Sequence, residues 1–282
     1  MGKALIPAQR RLVIREVLES QRIAQGSALT RLLGVSEATV RRDLEWLEQE
    51  GIVERTHGGA ILSQRMPTEP AYERSVQAHP EEKRWIGRRA AQLVEPGDTV
   101  FVNSGTTTTQ LVRSLRERAD LRDVTLVTNN VSAAYEAHGG TLEVILVGGS
   151  FRRISNSVVG RFAVETLRQI YATKTFLGVD GISLKFGGTT PISGEAEVAR
   201  QMIEHTRGPV VIVADHSKWG VVSNFPVAAL PEVHTWVVDE GLSSEWRLEL
   251  EARHVKVIVA APEAIEGIEA ASSTGREAYP AA

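Results

Sequence analysis

Two periodicities divide the chain. Up to about residue 61, apolar positions recur at helical spacing: Leu12, Ile14, Val17 and Leu18 lie near one face of a first helix, and a short second pattern runs from Ser27 to Leu33. It stops at Gly34, where the missing Cβ permits the positive φ of a tight turn. Ser36 then offers an N-cap oxygen to a third helix, with Val35 and Val40 placed as a hydrophobic staple. In that helix Val40, Leu44 and Leu47 fall at i, i+4 and i+7 and mark the buried stripe. The same wheel turns Ala38, Arg41, Arg42 and Glu45 to solvent, with Thr39 at the flank. Ile52 to Ile61 alternates and contains Gly58-Gly59, the pattern of a two-stranded hairpin.

From about residue 81 to 260 the texture changes to short β-rich runs: Thr99–Asn103, Val124–Thr128, Glu143–Val147, Thr175–Val179, Val210–Val213, Thr235–Val238 and Val255–Val259. Several are nearly continuous in Val, Ile and Leu, as expected for parallel strands covered on both faces. Helical stretches such as Gln110–Leu115 and Ala196–His205 alternate with them, which predicts a layered α/β domain with a mostly parallel sheet. Residues 62–80 carry Met66-Pro67, Glu69-Pro70 and His79-Pro80 with little apolar periodicity and read as a linker. The expected organisation is a small helical domain over 1–61, a linker over 62–80, an α/β domain over 81–262 and a frayed tail over 263–282.

Length and composition add limits. A chain of 282 residues suggests two domains at about 150 residues each. The absence of cysteine excludes disulfides, thiolate metal sites and Cys nucleophiles. The seven histidines are scattered, with no two at a metal-binding helical spacing, so neither a metal nor a cofactor is expected. No apolar run reaches the roughly 18 residues of a membrane span, and Leu12-Val13-Ile14 is too short for a signal-peptide core, so a cytoplasmic protein is expected. The net charge of −3 excludes a uniformly basic coat but allows a local basic patch.

The third helix offers such a patch. A helix that buries one stripe and presents small, hydroxyl and guanidinium groups from its first turns suits the DNA major groove: Ser36, Ala38, Thr39, Arg41 and Arg42. The hairpin after it would act as a wing, bringing Arg55 and His57 near phosphates. A helical interaction domain with a solvated charged face is the competing reading, and nine basic against eight acidic residues over 1–62 do not separate the two. The run Val35-Ser36-Glu37-Ala38-Thr39-Val40-Arg41-Arg42-Asp43-Leu44, with Leu47-Glu48-Gln49-Glu50-Gly51 and Arg55-Thr56-His57-Gly58-Gly59-Ala60, resembles the winged helix-turn-helix signature of the DeoR family of bacterial transcription regulators. The resemblance implies operator binding to double-stranded DNA, usually as a repressor and usually as a symmetric homo-oligomer, a dimer or tetramer.

In the α/β region, strand ends carry polar turns. Thr99–Asn103 runs into Ser104-Gly105-Thr106-Thr107-Thr108, where backbone N–H groups, hydroxyls and a helix start can meet an anion. Thr128-Asn129, Gly148-Gly149, Asp180-Gly181 and Asp215-His216-Ser217-Lys218 end other strands, and ligands of open parallel sheets bind outside those carboxyl ends. Each turn alone is equally a helix cap, and a single exposed lysine such as Lys218 is more often a solvated charge. Together these segments resemble the sensor domain of the same family, whose fold is similar to ribose-5-phosphate isomerase and CoA transferases. That resemblance implies a phosphorylated sugar or related metabolite as effector, its phosphate in the Gly105–Thr108 turn. Asn103 stands where family members often have aspartate.

The competing function is a DNA-binding protein that retains sugar-phosphate isomerase activity. Isomerisation needs a carboxylate base and a second acidic group at the same carbons. The isomerases are expected to show an Asp-Gly-Ala-Asp element, a Lys-Gly-Gly turn and a later Glu. Here the stretch reads Asp180-Gly181-Ile182-Ser183, Lys185-Phe186-Gly187-Gly188 and Glu195. Ser183 replaces the second acid, and a hydroxyl cannot replace a carboxylate as base. Asp180 and Glu195 remain as ligand contacts, and a non-enzymatic sensor is the expectation. A constitutive DNA-binding protein whose α/β domain only oligomerises is the third reading.

Overall fold

The computed structural model describes residues 5–21, 23–49, 52–56, 58–62, 64–66 and 69–262; the tail 263–282 and His57 lie outside the described residues. The head comprises helices Pro7–Gln21, Gly26–Leu33 and Glu37–Gln49 and a three-stranded antiparallel sheet of Ile23–Gln25, Gly59–Leu62 and Val53–Arg55. Gly34 adopts φ 63° and its N–H returns to the Thr30 carbonyl at 3.0 Å, closing the second helix. Ser36 Oγ accepts the Thr39 N–H at 3.3 Å and so caps the third helix. Ile14, Leu18, Leu29, Val40, Leu44, Leu47, Val53 and Ala60 form one core. Leu12 departs from the expected face: it is exposed, because it lies two residues, or about 200°, from Ile14 on the wheel.

The body is built on a seven-stranded sheet. Its order is Lys256–Ala260, Thr235–Asp239, Val210–Val213, Lys174–Leu177, Thr99–Val102, Thr125–Thr128, Glu143–Leu146, and every neighbouring pair is parallel. Each of the seven β-rich runs therefore supplies one strand. Alternate residues face opposite layers: Val100, Val102, Leu126 and Phe176 pack with Ile86, Leu111 and Leu115 of helices Pro80–Ala91 and Thr106–Arg116. Phe101 and Val127 pack instead with Leu167, Val198 and Met202 of helices Arg161–Leu167 and Ser193–Glu204. Burial on both faces explains why these strands lack polar alternation.

Chain order gives the sheet a switch point. From Thr99–Val102 the chain adds strands outward on one side, then returns to Lys174–Leu177 and builds outward on the other. The crevice outside the carboxyl ends of these two strands is the place where α/β sheets bind ligands.

Residues 62–80, expected to be a bare linker, hold structure of their own. Gln64–Met66 pairs in parallel with Val221–Ser223, and Tyr72–Gln77 is a helix that buries no residue. It faces the cavity rather than a core, so it carries no extended apolar stripe. Pro80 occupies the first turn of the next helix, where its missing N–H costs nothing.

Candidate functional site

The head presents a continuous polar face. Ser36, Ala38, Arg41 and Arg42 are exposed and Thr39 is half-buried, all at the start of the helix Glu37–Gln49. Glu45 gathers two of the candidate cations: its carboxylate accepts from Arg41 Nε at 3.1 Å and from Arg55 Nη1 at 3.0 Å. The hydrogen bond from Arg41, followed by the charges of Arg55 and Arg41, holds Glu45 below the usual carboxylate range. A helix residue and a wing residue are thus joined through one carboxylate. Behind this face Asp43 is buried and accepts from Arg10 Nε at 2.7 Å and Arg11 Nε at 3.1 Å, tying the first helix to the third. Arg11 also stacks over Trp46, 4.2 Å from the ring centroid. The sequence showed Asp43 only as one more charge in the motif.

The body carries a cavity of about 300 Å³ at the switch point. Of the residues expected at an effector site, Asn103, Ser104, Gly105, Thr106, Thr107, Asp180, Glu195 and Lys218 line it together. Asn103 joins the two central strands: its amide donates to the Gly178 carbonyl at 2.9 Å and accepts the Gly178 N–H at 2.7 Å. One side chain both donates and accepts here, which suits an amide, whereas an ionised aspartate would have no proton to donate.

The remaining expected residues do not line the cavity. Thr108 is fully buried and its hydroxyl donates to the carbonyls of Asn103 and Gly105. Thr128 Oγ1 donates to the Val102 carbonyl at 2.6 Å, and Asn129 donates to the Val158 carbonyl at 3.0 Å. Gly148 and Gly149 lie at the end of the strand Glu143–Leu146, near Val158–Val159 in the case of Gly149. Gly181 begins a hairpin strand, where a Cβ would meet the Val221 carbonyl oxygen at 2.1 Å. Asn130, adjacent to the residues singled out in the sequence, holds the Gly105 turn by donating to the Gly105 carbonyl and the hydroxyls of Thr108 and Thr109.

The Gly105 turn is open toward the cavity. Gly105 takes φ 145°, and no side chain caps the helix Thr106–Arg116 that follows. The hydroxyls of Thr108 and Thr109 are spent on the Gly105 carbonyl. This leaves the first N–H groups of the helix, whose dipole favours an anion, without a side-chain acceptor.

The other cavity walls were missed by sequence reasoning. Glu69, Tyr72, Arg74, Ser75 and His79 come from the segment read as a linker, and Lys83 from the helix after it. Lys83 is buried and donates to the carbonyls of Ser75 and Ala78 at 2.6 and 2.5 Å. Burial pulls its pKa below the ordinary lysine value. Asp215 also lines the cavity. Burial pushes its carboxyl up, but Ser217 and the charges of Lys218, Lys83 and His79 prevail and hold it low. Its Oδ2 is buried without a hydrogen-bond partner.

His79, Asp215 and His216 bring potential metal-ligating atoms within 4.8 Å of one another, a proximity hidden by their spacing along the chain. His216 is oriented by Asp239, 2.6 Å from Nδ1. The charges of Lys83 and Lys218 act on the same Asp215 carboxylate, so a cation there meets two fixed positive charges.

Opposite the lysines, burial pushes the carboxyls of Asp180 and Glu195 up. Thr190 donates to Asp180 Oδ2 at 2.8 Å and Ser157 to Glu195 Oε1 at 2.8 Å. A carboxyl whose folded-state pKa is raised costs stability in its charged form, and this cost appears as pH rises through the folded value. Asp180→Asn and Glu195→Gln are therefore expected to melt above the wild type at pH 8. The gap should close as pH falls toward about 4, the ordinary carboxylate range. A series of melting curves checks this; a gap that widens on acidification contradicts the assignment. Ser183, at the position of the missing second acid, is fully buried and accepts the Phe186 N–H at 3.0 Å, outside the cavity.

A winged helix-turn-helix head on an α/β body with a polar cavity at its switch point defines a DNA-binding regulator with a sensor domain. Residues 10–65 match the DeoR-like helix-turn-helix domain and residues 78–240 the DeoR C terminal sensor domain. The chain belongs to the DeoR family of transcriptional regulators. It is similar to the HTH-type transcriptional regulator GlpR of Haloferax volcanii, 34% identical over 254 residues that cover 90% of this chain and 98% of that protein. It is also similar to the HTH-type transcriptional repressor GlcR of Bacillus subtilis, 32% identical over 234 residues, 82% of this chain and 88% of that one. Both carry the names of transcriptional regulators, not of enzymes. Among solved structures, ribose 5-phosphate isomerase A of Methanocaldococcus jannaschii matches at 16% identity with a TM-score of 0.39, over 50% of this chain and 55% of that one. No helix among the described residues is long and apolar enough to cross a membrane.

Proposed function

We propose that the chain is a cytoplasmic repressor of a carbohydrate-metabolism operon, controlled by a phosphorylated sugar or a related metabolite. The observation that carries this reading is the uncapped helix start at Thr106 and Thr107, which shares one cavity with Lys218, Asp180 and Glu195. In this reading the phosphate takes the N–H groups of the turn and the Lys218 ammonium. Sugar hydroxyls reach Asp180, Glu195 and the unpartnered oxygen of Asp215. The repressor name of the Bacillus subtilis relative supports the sign of regulation.

On DNA, Ser36, Ala38, Thr39, Arg41 and Arg42 enter the major groove, and Arg55 with His57 meets phosphates beside it. A homo-oligomer, dimer or tetramer, spans two half-sites. Ligand binding alters the spacing of the heads, with coupling of about 1–3 kcal/mol, typical of allosteric proteins.

The test is a melting screen against sugars and their phosphorylated forms in matched pairs. A ligand at about 100 times its dissociation constant adds roughly 2.7 kcal/mol. Stabilisation by a phosphorylated member and not by its free sugar is expected, and Lys218→Ala should lose most of it while folding normally. Equal stabilisation of the Lys218→Ala variant removes that lysine from the site.

A further inference from the structure

Between cavity and wing runs a buried hairpin. Its strands, Gly181–Ser183 and Gly187–Thr190, pair antiparallel, with Gly181 opposite Thr189 and Ser183 opposite Gly187. At the base, Asp180 and Thr190 both line the cavity and are joined by the 2.8 Å hydrogen bond between their side chains. A second bond from the Asp180 N–H to the Thr189 carbonyl, at 2.9 Å, closes the base. Four residues further, roughly 13 Å along an extended strand, the Leu184 N–H at the tip donates to Glu54 Oε2 at 3.1 Å.

Glu54 belongs to the wing strand Val53–Arg55 and is itself buried. Its neighbour in sequence, Arg55, is held by Glu45 on the third helix. Its cross-strand partner Ile61 packs into the body core with Ile182 of the same hairpin. Burial pushes the Glu54 carboxyl up, opposed by the Leu184 bond and Ser183, and Oε1 has no hydrogen-bond partner. A wing glutamate buried against another domain's backbone is costly for stability alone, since an apolar residue would fill the space without an unpaired oxygen.

We propose that the hairpin 181–190 transmits the state of the effector cavity to the DNA-binding wing, with the Glu54–Leu184 hydrogen bond as its contact point. Groups that engage Asp180 or Thr190 shift the hairpin base. Packed strands do not deform gradually, so the tip moves with the base. The tip then moves Glu54 and, through its strand, the orientation of Arg55 against the third helix. The link is a physical chain of contacts, and coupling energy must be measured to establish it.

A double-mutant cycle tests the link without any effector. Full-length wild type, Thr190→Val, Glu54→Leu and the double variant are compared for affinity to an operator duplex selected from a random DNA pool. Thr190→Val removes the bond at the base and fills the same volume; Glu54→Leu removes the contact at the tip. The expected result is that Thr190→Val changes operator affinity at least about threefold in the wild type and has little effect in the Glu54→Leu background. Glu54→Gln keeps an acceptor for the Leu184 N–H and should restore the response. Equal effects of Thr190→Val in both backgrounds, or no effect in either, overturn the proposal. Should Glu54→Leu fail to fold, hydrogen exchange of the full chain decides: wing amides over 52–62 should exchange faster in Thr190→Val than in the wild type. Unchanged exchange there overturns the link as well. Because no sugar phosphate enters the cycle, failure of the effector reading leaves its outcome unaffected.

Discussion

A variant carrying alanine at both Arg41 and Arg42 is expected to lose about 2–6 kcal/mol of operator binding, since each arginine reaching a base or phosphate is worth roughly 1–3 kcal/mol. That corresponds to a weakening of about 30-fold to 20,000-fold. Both side chains are exposed on the first turns of the third helix, and Arg41 is held by the half-exposed Glu45. Their removal leaves the head core untouched, because Val40, Leu44 and Leu47 supply the buried stripe. Effector-induced stabilisation of the body should remain at the wild-type value. Fluorescence anisotropy on a selected operator, with a melting curve of the same sample, measures both. A folded variant that lost ligand stabilisation along with DNA binding would contradict the division of labour between head and body.

The second large effect is on the head's own stability. Asp43→Ala should destabilise it by about 3–5 kcal/mol, the usual cost of breaking a buried ion pair from one side. The Asp43 carboxylate is 2% exposed and takes one hydrogen bond from each of Arg10 and Arg11, so its loss strands two partly buried guanidinium groups. A domain of this size has few kcal/mol to lose. Calorimetry should show the head transition moved down or absent at 37 °C, with the body transition in place and operator binding gone. A loss below about 1 kcal/mol would mean that the pair behaves as a solvated surface bridge.

The two effects show what the sequence could and could not reveal. Helix faces and strands follow from periodic burial, so Val40, Leu44 and Leu47 and the seven parallel strands were legible from spacing alone. So was the Ser36 cap, which depends on a local side-chain bond. Asp43 was not: its partners Arg10 and Arg11 lie more than thirty residues away, and nothing local distinguishes a buried carboxylate from an exposed one. The cavity was half legible. Polar turns at strand ends mark it, and Gly105, Asp180 and Lys218 were found that way. The wall formed by Glu69, Tyr72, His79 and Lys83 was hidden, because these residues come from irregular chain, a short helix and the start of the next helix, with no local pattern that marks a shared cavity. Thr128 and Asn129 lie off the cavity wall for the opposite reason: polar residues at a strand end also serve buried backbone groups, and each donates to a carbonyl, that of Val102 and that of Val158.

In the proposed mechanism a phosphorylated ligand in the switch-point cavity governs the grip of the head on DNA. The most direct measurement is anisotropy of a fluorescent selected operator bound by the full chain, titrated with phosphorylated pentoses and hexoses and with the same sugars lacking phosphate. At least one phosphorylated member is expected to shift operator affinity by about fivefold or more. The matching free sugar is expected to leave it unchanged, and Lys218→Ala to remove the shift. Operator affinity that stays constant across every phosphorylated sugar, or that responds equally to a sugar with and without its phosphate, would contradict it.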